Sequence, residues 1–133
     1  MNSFKDKNQK IALIGCGYWG TIIAKTLIQL NFKNISIYDS NFNNLKTLKD
    51  KFKNLNIEHK FSKILENDEI KNIFFATPPS KNYKIVKNAL LYKKNVFLEK
   101  PGVTKISELK SLNLISLKNK CKLMLGYVYC YND

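Results

Sequence analysis

The sequence predicts an α/β fold, a doubly wound parallel sheet, and three observations carry that expectation. Short apolar runs alternate with helix-period stretches along the whole chain. The first apolar run ends in a glycine-rich turn, and the second ends in an acidic residue. Strands joined through helices pair in parallel by right-handed crossovers, and strands apolar on both faces suit a sheet that is covered on both sides. The expected strand order is 3-2-1-4-5-6.

Taken in order, residues 10–14 (KIALI) read as a buried strand running into the glycine turn. Residues 18–30 follow as a helix, with Trp19, Ile22, Ile23, Thr26, Leu27 and Leu30 at helical spacing. Residues 35–39 (ISIYD) form the second strand. Residues 41–52 form a helix with Leu45, Leu48 and Phe52 inward. A short third strand is expected within 56–61, then one helical turn over 62–66 capped by Ser62. Residues 72–76 (NIFFA) are a buried strand stopped by Thr77-Pro78-Pro79. Ser80 is the expected cap of a helix running to residue 92 with Tyr83, Val86 and Leu90 on one face. Residues 95–98 are a strand, Thr104 caps a helix to residue 117, and residues 122–125 are the last strand before Gly126.

The segment Gly15-Cys16-Gly17-Tyr18-Trp19-Gly20 is a G-x-G-x-x-G turn between a strand and a helix, the context of a Rossmann phosphate site. Gly15 allows the tight turn, Gly17 has no Cβ to block a pyrophosphate, and Gly20 lets helix and sheet approach closely. Free N–H groups and the helix dipole then face the diphosphate. Asp39 ends the second strand, where a carboxylate accepts hydrogen bonds from the adenosine ribose and repels a 2′-phosphate. With no arginine in the chain to receive that phosphate, NAD is the expected cofactor rather than NADP.

Composition removes several alternatives. The 133 residues are one domain's worth: a flexible tail over 1–9 and a nucleotide-binding domain over 10–133. The net charge of +13 raises a nucleic-acid reading, but all 23 basic residues are lysine and they are scattered, so no specific nucleic-acid surface is expected. Neither a membrane-spanning run nor a signal-peptide pattern is present, so the expected location is cytoplasmic. Cys16, Cys121 and Cys130 lack metal-type spacing and His59 has no neighbouring ligand, so no metal is expected. The pairs Tyr83/Lys87 (Y-x-x-x-K) and Ser107/Lys110 (S-x-x-K) lie on amphipathic helices without the rest of either catalytic signature.

Ala76-Thr77-Pro78-Pro79-Ser80, followed by Glu99-Lys100-Pro101, resembles the Gfo/Idh/MocA oxidoreductases. The turn GCGYWG, the run KIVKNALLYKKNVFLEKP and the closing LMLGYVYCYN fit the same family. The resemblance implies that Gly15, Gly17, Tyr18, Trp19 and Gly20 surround the pyrophosphate and that Asp39 holds the ribose. It implies that Thr77, Pro78 and Asn82 lie along the cofactor, and that Glu99 and Lys100 stand by the nicotinamide ribose. Lys100 is then the catalytic candidate, its ammonium stabilising a developing alkoxide on a small sugar-like substrate. Family members are usually more than twice as long, so a C-terminal substrate domain is expected to be absent from these residues; a homo-oligomer is possible. Many members carry histidine at the positions of Asn82, Asn95 and Tyr127 and glycine at that of Lys93. Asn82 can hydrogen-bond a ligand but cannot shuttle a proton.

Two functions follow as expectations. One is the nucleotide-binding half of an NAD-dependent sugar or cyclitol dehydrogenase. The other is a stand-alone module that binds or senses NAD(H) without catalysis. An interaction partner that keeps the fold without the ligand is a weaker third.

Overall fold

The computed structural model describes residues 6–127. The elements are β1 (Lys10–Ile14), α1 (Tyr18–Gln29), β2 (Asn34–Tyr38), α2 (Phe42–Lys51), β3 (Asn56–Ile57), α3 (Phe61–Glu66), β4 (Ile70–Phe75), α4 (Pro79–Leu91), β5 (Asn95–Glu99), α5 (Ile106–Lys118) and β6 (Leu123–Gly126). All strands pair in parallel in the order β3-β2-β1-β4-β5-β6, with Leu13 level with Ile37 on one side and Phe74 on the other. This is the Rossmann order. The chain reverses its direction of winding between β1 and β4, which opens a crevice at the carboxyl ends of those strands.

Alternation along the strands divides the core in two. Ala12, Ile14, Ile73, Phe75, Val96 and Leu98 face α3, α4 and α5, meeting Ile64, Val86, Leu90 and Leu112. Ile11, Leu13, Ile35 and Ile37 face α1 and α2, meeting Ala24, Leu27, Leu45 and Leu48. Each fully buried aliphatic side chain contributes roughly 1.5–3 kcal/mol of transfer free energy, so both layers are needed to hold the sheet.

Several helix starts differ from expectation. α4 begins at Pro79 rather than after Ser80, because a proline at the first helical position has no N–H to satisfy and its φ is already helical. α3 begins at Phe61, one residue before the expected cap Ser62, with the Phe61 ring stacked on Tyr38 and edge-on to Phe75. α5 begins at Ile106. Its start is closed by Glu108, whose Oε2 accepts from the Lys105 N–H and the Thr104 hydroxyl, both at 3.3 Å.

The inward stripe of α1 is Gly20, Ala24 and Leu27. Trp19, Ile22 and Leu30 are exposed, since small residues let this helix sit close to the sheet. β3 is only two residues long.

Three helices end in the same way, with a left-handed residue where glycine is usual. After α1, α4 and α5 these residues are Asn31, Lys93 and Lys120, at φ 65°, 57° and 55°. In each, the left-handed residue and its successor donate back to the last turn: Lys93 to Leu90 O and Lys94 to Ala89 O, both at 3.0 Å.

Of the stretch expected as a flexible tail, residues 7–9 pack on the sheet end. Lys7 lies over the Phe32 ring, Asn8 O accepts from Asn34 Nδ2 at 2.7 Å, and Gln9 Oε1 accepts from Asn72 Nδ2 at 2.8 Å. Residues 1–5 and 128–133, the latter including Cys130, lie outside the described residues. Among the described residues, no helix is long and apolar enough to cross a membrane, and no group of three or more His, Cys, Asp or Glu could hold a metal.

Candidate functional site

The site begins where β1 runs out. Gly15 takes φ +93°, and a Cβ built there would stand 2.5 Å from Ala76 O. The turn therefore crosses directly over the end of β4, a path closed to any side chain. Gly20 is equally constrained, since its Cβ would lie 1.9 Å from Gly15 O. Gly17 is different. Its φ is −76°, and a Cβ there would meet nothing within 4 Å. The chain itself does not need glycine at Gly17. The space that its missing side chain leaves opens into the crevice at the start of α1, where no side chain caps the helix and no acidic residue stands in the first turn. The leading N–H groups of a helix lack intrahelical partners and carry its positive pole, so the cradle suits a diphosphate.

Asp39 lies at the end of β2 and ties this turn to its neighbours. Oδ2 accepts from the Cys16 N–H at 2.8 Å and from Asn44 Nδ2 at 3.1 Å, while Oδ1 accepts from the Asn41 N–H at 2.8 Å. A carboxylate has about four acceptor positions, so capacity remains for a hydroxyl. The Cys16 thiol is buried beneath the turn and donates to Tyr38 O at 3.6 Å; burial first and the Asp39 charge second push it up to about 12.

Across the crevice, Thr77 and Pro78 follow β4, and Glu99 and Lys100 follow β5. Gly102 N–H donates to Glu99 O at 3.0 Å, closing a turn that holds the cis Lys100–Pro101 peptide. Glu99 is half-buried and Lys100 exposed, and both line the cleft.

The two walls enclose an open cleft of about 660 Å³. It brings together Gly15, Gly17, Tyr18, Trp19, Asp39, Thr77, Pro78, Glu99 and Lys100 of the residues expected from sequence. Gly20 stands behind it as a packing residue. Asn82 does not line it either. That side chain is 1% exposed, with Oδ1 accepting from the Thr77 hydroxyl and Nδ2 donating to Gly102 O, so its amide is engaged by the protein rather than offered to a ligand. His59 follows β3 and is likewise absent from the lining.

Sequence reasoning missed the other lining residues. Tyr38 and Phe61 form a stacked pair, with centroids 5.9 Å apart, beside Asp39. Ser40, Asn41 and Asn44 follow Asp39 in the lining, and Pro79, Lys81 and Ile85 join it from α4. Asn41 carried a signal, as the cap of α2 whose Oδ1 accepts from Asn43 N–H at 2.9 Å. Phe61 carried none, because its place depends on where α3 packs.

Residues 9–127 match the family described as oxidoreductase family, NAD-binding Rossmann fold, of the Gfo/Idh/MocA group. The chain belongs to the Gfo/Idh/MocA oxidoreductases. It is the NAD(P)-binding Rossmann domain of that family. No curated protein matches it.

Among solved structures, GenD2 from gentamicin A biosynthesis, in complex with NAD, superposes with a TM-score of 0.80 at 20% identity. The match covers 90% of this chain and 34% of that one. Scyllo-inositol dehydrogenase from Lactobacillus casei, with NAD(H) and scyllo-inositol, gives 0.78 at 22% identity over 95% and 38%. Biliverdin reductase from Synechocystis sp. PCC 6803, with biliverdin and NADP+, gives 0.83 at 18% identity over 92% and 39%. The present chain thus spans about a third to two fifths of these neighbours.

Proposed function

We propose that the cleft binds NAD(H) in preference to NADP(H), and that the chain is the nucleotide-binding part of a dehydrogenase acting on a sugar or cyclitol hydroxyl. The observation that carries this reading is a single cleft lined by both the glycine turn with Asp39 and the Glu99–Lys100 turn. At one end, the N-terminus of α1 and the open space at Gly17 would hold the diphosphate. Asp39 would accept the ribose hydroxyls, with the Tyr38 and Phe61 rings offering an apolar bed for the adenine. At the other end, Thr77 and Pro78 would flank the nicotinamide ribose beside Glu99.

A bound nicotinamide supplies the hydride acceptor. The chain's own contribution is Lys100, exposed at the rim, whose ammonium would face the reacting hydroxyl and stabilise its oxygen as negative charge develops. Neighbours in complex with NAD, with NADP+ and with NAD(H) and scyllo-inositol support a nicotinamide dinucleotide and a cyclitol-like substrate, while the preference for NAD(H) rests on Asp39. A reading as a non-catalytic NAD(H)-binding module draws on a separate fact: among the described residues, no histidine lines the cleft to accept the proton that the hydroxyl would lose.

A panel of sugars and cyclitols with NAD+, followed by NADH absorbance, tests the proposal. These 133 residues are expected to bind the cofactor but to turn over substrates negligibly, because among the described residues no second wall positions a substrate over the nicotinamide. In a longer chain that also holds substrate, Lys100→Ala is expected to depress turnover by orders of magnitude and leave cofactor affinity intact. Appreciable turnover by the 133 residues alone would overturn the half-enzyme reading. Unchanged turnover in that Lys100 variant would favour the binding module.

A further inference from the structure

We infer that Asn82 is a positioning residue that couples the two loops at the nicotinamide end of the cleft, an inference resting on the assignment of that cleft to NAD(H). Its carboxamide is buried at 1% exposure and bridges segments far apart in sequence. Oδ1 accepts from the hydroxyl of Thr77, which lines the cleft after β4, and Nδ2 donates to Gly102 O at 2.5 Å. Gly102 is the last residue of the turn that carries Lys100, because its N–H donates to Glu99 O. The same glycine has φ +87°, and a Cβ on it would lie 2.8 Å from Leu125 Cδ2, so the turn is pressed against β6 while Asn82 holds it from α4.

The role needs one rigid group with an acceptor at one end and a donor at the other, which a primary amide provides and an apolar side chain of equal size does not. Without it, Gly102 O and the Thr77 hydroxyl lose a buried partner, and the spacing between Thr77 and Lys100 is no longer fixed. The opposite half of the cleft has its own brace, the hydrogen bond from Cys16 N–H to Asp39, in which Asn82 takes no part. Asn82 therefore acts chiefly on the nicotinamide half, while the Asp39 brace holds the adenosine half.

ADP-ribose, which lacks the nicotinamide, separates the two halves. Each ligand is titrated by calorimetry into wild type, Asn82→Leu and Val86→Ala, the last removing buried volume from α4 without removing a hydrogen bond to either loop. Wild type is expected to bind NADH more tightly than ADP-ribose. Asn82→Leu should hold ADP-ribose within about twofold and lose about tenfold in NADH affinity, the loss of one buried hydrogen-bonded partner. Val86→Ala should change neither ratio. If Asn82→Leu does not fold, Asn82→Ser, too short to reach both partners, replaces it with the same expectation.

Equal loss of both ligands, no loss of either, or the same selective loss in Val86→Ala would overturn the positioning role. Wild type binding neither ligand would instead overturn the reading of the cleft.

Discussion

The carboxylate of Asp39 accepts the Cys16 backbone N–H at 2.8 Å, so the residue read as the ribose partner also braces the phosphate turn. The two roles predict different outcomes for two substitutions. Asp39→Asn keeps an acceptor for Cys16 N–H but removes the charge that repels a 2′-phosphate. It should fold with a modest loss of stability, since its Nδ2 then faces the Asn41 N–H that Oδ1 accepted, while the preference for NADH over NADPH narrows. Asp39→Ala loses three hydrogen bonds and should cost about 1–3 kcal/mol in chemical denaturation. A wild-type preference retained in Asp39→Asn would contradict the ribose role.

Gly20→Ala is expected to destabilise the domain outright, because its Cβ would stand 1.9 Å from the Gly15 carbonyl, inside any tolerable contact. Thermal unfolding should show the loss without any ligand present. A melting temperature equal to wild type would mean that the turn yields more easily than this packing implies.

Lys93 and Lys120 occupy left-handed positions at the ends of α4 and α5. A non-glycine residue there costs roughly 1–2 kcal/mol, partly offset by the greater entropy that glycine loses on folding. Lys93→Gly and Lys120→Gly should therefore each stabilise the chain by about 0.5–1 kcal/mol, additively, as read from urea midpoints. Destabilisation in both would show that the lysine side chains contribute more than the backbone strain removes.

The Cys16 thiol is pushed from its ordinary value near 9.0 up to about 12 by burial and by Asp39. The folded state then keeps its proton where the unfolded state has lost it. The resulting stability is complete below pH 9 and is lost as pH rises toward 12. Cys16→Ala lacks this dependence, so the wild-type melting temperature should fall more steeply than the variant's above pH 9. Parallel slopes would contradict the buried thiol.

The elements were legible because the apolar runs are strand-length and the helices between them have a clear period. Gly15, Gly17 and Asp39 were legible because a phosphate turn fixes residue types at short range. Helix starts were less so. Ser62, Ser80 and Thr104 are all competent caps, yet Phe61, Pro79 and Glu108 decide those ends, through a ring contact, a missing N–H and a carboxylate respectively. Asn82 was read as a ligand contact because position along α4 does not say which way a buried amide turns. Its partners Thr77 and Gly102 become visible only once β4 and β5 lie side by side. Phe61 was missed for a similar reason, since its place beside Tyr38 is set by the packing of α3.

Calorimetric titration of NADH into wild type and Gly17→Val tests the central claim most directly, because a Cβ on Gly17 meets no protein atom within 4 Å and Gly17 lines the cleft. The account predicts saturable one-to-one binding by wild type. It predicts no measurable binding by Gly17→Val, with the two circular dichroism spectra superimposable. Wild-type affinity in Gly17→Val, or no binding by wild type, would contradict a phosphate cradle at the start of α1.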